Sequence, residues 1–153
     1  MHAKGETKNT REAFWNEFKA WSGGKRVKGG KPGKWTMNET GIKQLKLKFH
    51  FDEKIALVGI EVDTRNLDKR IELWDKLEKT KALLTKNFDS ELIWDMEYPL
   101  IGNKTVSRIY CQISNVSIYD RSTWKSVNEF FFKNMSCFED YFLEYKDYLK
   151  YGN

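Results

Sequence analysis

The feature that most constrains the fold of this chain is the stretch from Ile42 to Val62. In its first half apolar residues alternate with lysine, glutamine or histidine, a period of two that is typical of a β-strand with one buried face. A two-residue turn at Glu53 and Lys54 would place the large apolar residues of both halves on one face. The same register sets Lys46 opposite Glu61 on the solvent side, whereas a slip by one residue would bury Glu61. We therefore predict a β-hairpin with the inward pairs Leu45 with Val62, Leu47 with Ile60, Phe49 with Val58 and Phe51 with Ala56.

Hydrophobic periodicity divides the rest of the chain into three helical and three further strand-like stretches. No internal repeat and no linker separates them, so we predict one domain over residues 1–153, with a flexible tail at residues 1–8. The predicted fold class is α+β: a two-layer sandwich with a mainly antiparallel five-stranded sheet, in the order helix, three strands, helix, two strands, helix. Besides the hairpin, the predicted elements are a helix from Thr10 to Trp21 ended by Gly23 and Gly24, a strand from Lys34 to Met37, a helix from Leu67 to Phe88, strands from Leu92 to Tyr98 and from Lys104 to Ile113, and a C-terminal helical region from Val127 to Leu149 with a break near Asn134.

Turn residues separate the two strands that precede the last helix, so these strands form a second predicted hairpin. Pairing Trp94 with Ile109 would place Arg108 opposite Asp95 on the solvent face of the sheet. A cross-strand ion pair between Arg108 and Asp95, worth about 0.2–1 kcal/mol, is then the simplest explanation of this arginine.

Charge is distributed unevenly along the chain, whose net charge is +5. Residues 1–50 contain twelve Lys or Arg and four acidic residues, a net charge of +8, and the rest of the chain carries a net charge of −3. This asymmetry points to a polyanion, such as nucleic acid, as a partner.

Residues 23–34 concentrate the positive charge: they include five Gly, one Pro, five Lys or Arg and no acidic residue. This composition predicts a flexible, basic, Gly-rich loop rather than a packed element. One interpretation is a loop laid along a phosphate backbone, and the other is a solvated loop whose lysines keep the protein soluble. Lysine and glycine supply charge without base-edge geometry, so any such contact with DNA or RNA is expected to be non-specific. The candidate phosphate contacts are Lys25, Arg26, Lys28, Lys31 and Lys34 in the loop, with Lys46 and Lys48 of the hairpin as extensions.

No convergent set of residues in the sequence is typical of an active site. With only two His and two Cys residues, we expect no metal site, no cofactor and two reduced cysteines. A metal-dependent nuclease could use the carboxylates of residues 52–53 beside Lys54, or Glu61 with Asp63, and this is the third functional hypothesis. No apolar run is long enough to cross a membrane and the N-terminal residues are polar, so we expect a cytoplasmic protein with no membrane partner.

A set of aromatic and polar landmarks spans nearly the whole chain. They are Phe14-Trp15 with Phe18, Trp35, the strand around Trp94, the run Thr105-Val106-Ser107-Arg108-Ile109-Tyr110, and Asp120 with Trp124. In this order the landmarks resemble a bacterial family known only as a domain of unknown function, DUF4268. The resemblance implies a small intracellular bacterial protein; in longer chains the domain resembles an appendage behind nuclease-like regions, which implies a DNA-related context. It singles out Arg108 and Tyr110 as motif residues at the sheet surface, and residues 23–34 are not part of the family pattern.

The leading hypothesis is therefore a non-enzymatic binding module that acts near nucleic acid through its basic loop. The alternative is a protein-interaction or homodimerisation domain, because twenty-three aromatic residues are more than one small core has to bury. Its contact surface would be the sheet face around Leu57, Ile93 and Tyr110, or the aromatic last helix. A tightly packed monomer explains the same aromatic residues, so both possibilities stay open at this point.

Overall fold

The computed structural model describes residues 4–33, 35 and 40–152. The fold is α+β, as the sequence predicts, and within those residues it consists of four α-helices, one 3₁₀ turn and a four-stranded sheet. No helix in that part of the chain is long and apolar enough to span a membrane. In chain order the elements are α1 (Lys4–Lys28), β1 (Leu45–Phe51), β2 (Ile55–Val62), α2 (Leu67–Lys79), α3 (Lys81–Thr85), β3 (Ile93–Leu100), β4 (Lys104–Ser114), the 3₁₀ turn (Arg121–Thr123) and α4 (Trp124–Tyr151).

The sheet is antiparallel throughout, with the strand order β1-β2-β4-β3. The predicted register of the first hairpin is confirmed at all four inward pairs. The prediction of five strands is wrong for the described chain, which has four. The strand predicted from Lys34 to Met37 lies outside the described residues except for Trp35, and Trp35 belongs to no strand.

The second hairpin has its predicted register at one end, where Trp94 pairs with Ile109. A β-bulge between Asp95 and Tyr98 then shifts the pairing, so that Tyr98 lies opposite Val106. An extra residue in one strand moves every later side chain to the other face of the sheet. Tyr98 therefore lies on the outer face, although regular alternation along the strand predicts it on the same face as Trp94.

The first helix is longer than predicted at both ends, because it begins at Lys4 within the predicted tail and continues to Lys28. Gly23 and Gly24 do not stop it, although Gly costs about 1 kcal/mol relative to Ala inside a helix. The chain after the helix turns back and packs on it, so that a Cβ added to Gly23 would lie 2.7 Å from the carbonyl oxygen of Gly33. Gly23 thus permits a close approach of two backbone segments. The first half of the predicted basic loop is consequently helical.

The two later helical regions also differ from the prediction. The single helix predicted from Leu67 to Phe88 is divided into α2 and α3 at Thr80, whose side-chain hydroxyl forms a hydrogen bond with the hydroxyl of Tyr141 on α4. Conversely, α4 has no break near Asn134: it continues through this residue, whose side-chain amide donates to the carbonyl oxygen of Phe130 one turn earlier.

The core lies on one face of the sheet, beneath α1 and α4. At its centre Phe14 is fully buried, and its ring contacts the rings of Phe51, Trp124 and Phe131. Aromatic rings bury more area than other side chains, so this cluster fixes how α1 crosses the sheet and α4. The core accounts for most of the apolar aromatic surface that the interaction hypothesis assigned to the last helix: Phe130, Phe131, Phe138, Tyr141 and Phe142 are all buried.

Candidate functional site

An ion-pair cluster ties the end of α1 and the turn after it to α4. Arg26, predicted as a phosphate contact, is buried, and its guanidinium donates two hydrogen bonds to Glu139, at 2.8 and 3.0 Å. Its Nε also donates to the carbonyl oxygen of Pro32. Lys31 donates to Glu139 at 3.1 Å and to Asp140 at 2.8 Å. Two of the predicted phosphate contacts are therefore neutralised within the protein.

The protonation states of this cluster are stabilised by the same contacts. Burial alone would raise the pKa of Glu139, but hydrogen bonds from Arg26 and Lys31, together with their charges, outweigh it and hold the pKa below its ordinary value. The hydrogen bond to Asp140 raises the pKa of Lys31. The carboxylate and the ammonium group thus both remain charged at neutral pH, and the turn stays attached to α4.

Two other members of the predicted set, Lys25 and Lys28, are exposed near the end of α1. The Lys25 amine lies 4.8 Å from the ring centroid of Trp21 and 5.0 Å from that of Phe132, which is a cation–π arrangement. Lys34, the last predicted loop contact, lies outside the described residues. Only the helical part of the predicted loop therefore presents exposed cations in the described chain.

Lys46 and Lys48 lie on β1 and on the outer face of the sheet, so the sheet separates them from α1. Lys46 is opposite Glu61 as predicted, but its amine donates to Asp63 at 3.1 Å, and Lys104 donates to the same oxygen at 3.0 Å. Burial raises the pKa of Asp63, yet the two ammonium groups outweigh burial and keep this pKa below its ordinary value. Lys46 thus lies opposite Glu61 but forms its ion pair with Asp63.

Arg108 forms an ion pair with Glu61, and not with Asp95 as predicted. Asp95 does lie opposite Arg108 on β3, but β2 flanks β4 on its other side and places Glu61 directly opposite Arg108 there. The guanidinium also lies 3.9 Å from the ring centroid of Tyr98, whose ring packs edge-on against Tyr110. Because Arg108, Glu61 and Tyr110 are all buried, the motif residues form a packed part of the outer face rather than an open contact surface.

Three of the four carboxylates considered for nuclease chemistry, Asp52, Glu61 and Asp63, are engaged in structural contacts. Asp52 closes the first hairpin by accepting hydrogen bonds from the backbone N–H groups of Lys54 and Ile55. Across the described ranges, no three His, Cys, Asp or Glu side chains are grouped so that they could hold a metal ion. Cys111 and Cys137 are free thiols, and burial raises the pKa of Cys111 to about 12. These groups do not form a reactive cluster in the part of the chain that the structure describes.

An aromatic cavity of about 530 Å³ lies between α1, β1 and the turn after α1. The helix contributes most of the wall, because residues 15, 18, 19 and 22 are separated by three or four positions and share one face. Among the lining residues that the structure describes, one lysine and one serine interrupt the apolar surface. The described lining residues are Trp15, Phe18, Lys19, Ser22, Gly33, Trp35 and Phe49.

Trp35 forms one wall of this cavity, and its ring packs against the rings of Phe18, Phe49 and Phe132. The Phe18 ring lies nearly parallel to it at a centroid distance of 6.0 Å, and the Arg26 guanidinium lies 4.4 Å from its centroid. The indole Nε1 of Trp35 is buried and has no hydrogen-bond partner among the described residues. Since Arg26 is itself fixed by Glu139, the ion-pair cluster on α4 positions a wall of the cavity.

A row of cations on α1 leads to the cavity. Residues three or four positions apart share one face of a helix, and this spacing holds for Lys8, Arg11, Trp15 and Lys19. The three cations are exposed and form no salt bridge with any residue of the described ranges. At 1.5 Å per residue, this basic row (Lys8, Arg11 and Lys19) spans about 16 Å. Because Trp15 and Lys19 also line the cavity, the row and the cavity form one continuous surface.

The sequence-based prediction missed this surface, because it placed binding in the loop of residues 23–34 and in Lys46 and Lys48. A signal was present, namely the regular spacing of Lys8, Arg11 and Lys19 around Trp15. The position of Phe49 beside that helix had no such signal, because it depends on how β1 packs against α1.

Comparison with known proteins adds one finding. The family model described as Domain of unknown function (DUF4268) matches residues 10–146 of the 153-residue chain. The resemblance inferred from the sequence landmarks is therefore confirmed over most of the chain. No curated protein and no solved structure shows a significant match.

Proposed function

This chain belongs to the DUF4268 family, a domain of unknown function, and we propose that it is a non-enzymatic module that binds nucleic acid. The observation that carries the proposal is the basic row on α1, which leads directly to the aromatic cavity. A row of cations attracts a phosphate backbone, and aromatic side chains beside it offer stacking surfaces for bases. An ordinary solvated helix face would supply the charge but not the adjoining cavity.

Positive charge that is not neutralised within the protein supports the same function. Of the twelve Lys and Arg residues at positions 1–50, Arg26, Lys31 and Lys46 form ion pairs. Five of the remaining cations lie on α1 and are exposed, which makes this helix the best-placed element for contact with phosphates. Among the Lys and Arg side chains of residues 1–50 that the structure describes, seven form no salt bridge: Lys8, Arg11, Lys19, Lys25, Lys28, Lys43 and Lys48.

The proposal moves the phosphate contacts from the loop to the helix. Lys25 and Lys28 remain candidate contacts at the end of α1, whereas Arg26 and Lys31 hold the turn and the cavity wall. Contacts between cations and phosphates do not read base identity, so binding is expected to be non-specific in sequence.

Fluorescence anisotropy of a labelled oligo-dT of about 15 nucleotides, titrated across a salt series, tests this function. If Lys8, Arg11 and Lys19 each contact one phosphate, they contribute about −2 to the slope of log K against log salt on a single strand. Replacing all three with Gln should remove that part of the slope and weaken binding most strongly at low salt.

A second triple variant controls for the change in net charge. Lys54, Lys86 and Lys146 are exposed, lie outside α1 and form no salt bridge within the described ranges, so their replacement by Gln removes the same charge elsewhere. This control should bind like the wild type. Equal weakening by the two triple variants would contradict a specific role for α1, and no binding of oligo-dT at low salt would contradict the proposed function.

A further inference from the structure

We infer that the aromatic cavity receives one unstacked base, so that the ligand is a single-stranded nucleic acid; the inference rests on the proposed function and specifies its ligand. In a duplex the bases are paired and stacked, and moving one into a protein cavity costs unpairing energy. A single strand carries no such cost for pairing. The cavity therefore favours binding of single strands over duplexes, whereas positive charge alone would attract both.

The size and lining of the cavity fit a base. Its volume of about 530 Å³ lies within the range of about 300–1,000 Å³ that is typical of small-molecule sites. Trp15, Trp35 and Phe49 contribute aromatic rings to the lining, and every base has a π-face that can stack on such rings. Stacking of this kind strengthens binding by about 5- to 150-fold per base.

One charged group distinguishes this cavity from a site for a purely apolar ligand. Lys19 both lines the cavity and is exposed, so its amine is placed to bind the phosphate next to an inserted base. A hydrocarbon ligand would offer this amine no partner.

Two probes with equal numbers of phosphates test the inference: labelled oligo-dT of about 15 nucleotides, and an abasic strand of the same length whose sugars carry no bases. If one base enters the cavity, oligo-dT should bind at least about fivefold more tightly than the abasic strand at every salt concentration. The two salt slopes should be the same, because the two probes offer the same phosphates.

A variant of the cavity wall strengthens this test. Phe49→Leu removes an aromatic ring that is only partly buried, and should weaken oligo-dT binding severalfold while leaving abasic binding unchanged. Phe88→Leu is the matched control, because Phe88 is also partly buried and its ring packs on Phe138, outside the cavity lining. Circular dichroism and thermal unfolding establish that both variants are folded.

The outcomes separate the inference from the proposed function. Equal affinity for the two probes would overturn base insertion and leave nucleic-acid binding by α1 standing. Weakening of both probes to the same extent by Phe49→Leu would also overturn base insertion, because it would assign the ring a structural role only. If neither probe binds at low salt, the proposed function fails and base insertion fails with it.

Discussion

Gly23 and Gly24 are adjacent in α1, yet substitution by Ala is expected to have opposite effects on stability at the two positions. Both lie inside the helix, and neither has a positive φ angle. Replacing such a Gly with Ala stabilises a helix by about 0.5–1 kcal/mol when the added methyl group meets nothing. At Gly24 nothing lies within 4 Å of an added Cβ. We therefore expect Gly24→Ala to raise the free energy of unfolding by about 0.5–1 kcal/mol.

At Gly23 the same methyl group meets the backbone of the returning turn. Its Cβ would lie 2.7 Å from the carbonyl oxygen of Gly33, closer than real Cβ contacts come, so one of the two backbone segments has to shift. Overpacking of this kind costs about 1–3 kcal/mol. After the gain in helix propensity is subtracted, Gly23→Ala should lower the free energy of unfolding by up to about 2 kcal/mol. Because Gly33 lines the aromatic cavity, this variant should also weaken oligo-dT binding.

Urea unfolding followed by circular dichroism measures both variants against the wild type. The expected difference between the two variants is about 1–3 kcal/mol, although the substitutions are chemically identical and one residue apart. If both variants are stabilised, the turn does not approach α1 at Gly23. If Gly24→Ala is the more destabilising of the two, α1 does not continue through the glycine pair as described.

The remaining predictions concern the buried charges. Glu139→Gln removes the carboxylate that Arg26 and Lys31 share, and should lower the free energy of unfolding by about 2 kcal/mol at pH 7. Because the pKa of Glu139 is lower in the folded than in the unfolded protein, this stabilisation is present above about pH 4.3 and is lost as the pH falls through the folded pKa. Urea unfolding of wild type and variant should therefore converge in acid, and a constant difference at all pH values would contradict this. Arg108→Met leaves Glu61 buried without its cation and should cost about 3–5 kcal/mol in thermal or urea unfolding. Adding Glu61→Met should recover most of that loss, and a double variant as unstable as the single one would refute the ion pair as its cause.

Much of the sheet could be predicted, because the buried face of a strand depends on the pattern of neighbouring residues along the chain. Alternation of apolar and polar residues sets which face of a strand is buried, and a slip by one residue would reverse every side chain. The register of the first hairpin follows from this argument together with the two-residue turn at Glu53 and Lys54. The pairing of Trp94 with Ile109 agrees with the alternation, which sets the face but not the partner of each residue. Prediction failed at the bulge before Tyr98, since one extra residue in a strand leaves no trace in the alternation that precedes it.

For the candidate site, the charge and the residue types could be predicted from the sequence, but their arrangement in space could not. The excess of positive charge in residues 1–50 and the regular spacing of the basic row can both be read from the sequence. Which of these cations are free to contact a ligand could not be predicted in the same way, because each cation forms an ion pair with the carboxylate that lies nearest to it in space. Arg26 and Lys31 meet Glu139, more than a hundred positions further along the chain, and so leave the set of free cations.

By itself, then, the sequence determined the class of fold, the faces of the strands and the sign of the charge, because each depends on residue type and local period. The tertiary structure alone decided which elements meet. β4 lies between β2 and β3, so Arg108 pairs with Glu61 instead of Asp95. α1 continues through Gly23 because the returning turn and α4 pack against its last turns, and those contacts outweigh the intrinsic cost of glycine in a helix. The aromatic cavity exists for the same reason: its walls come from segments that only packing brings together.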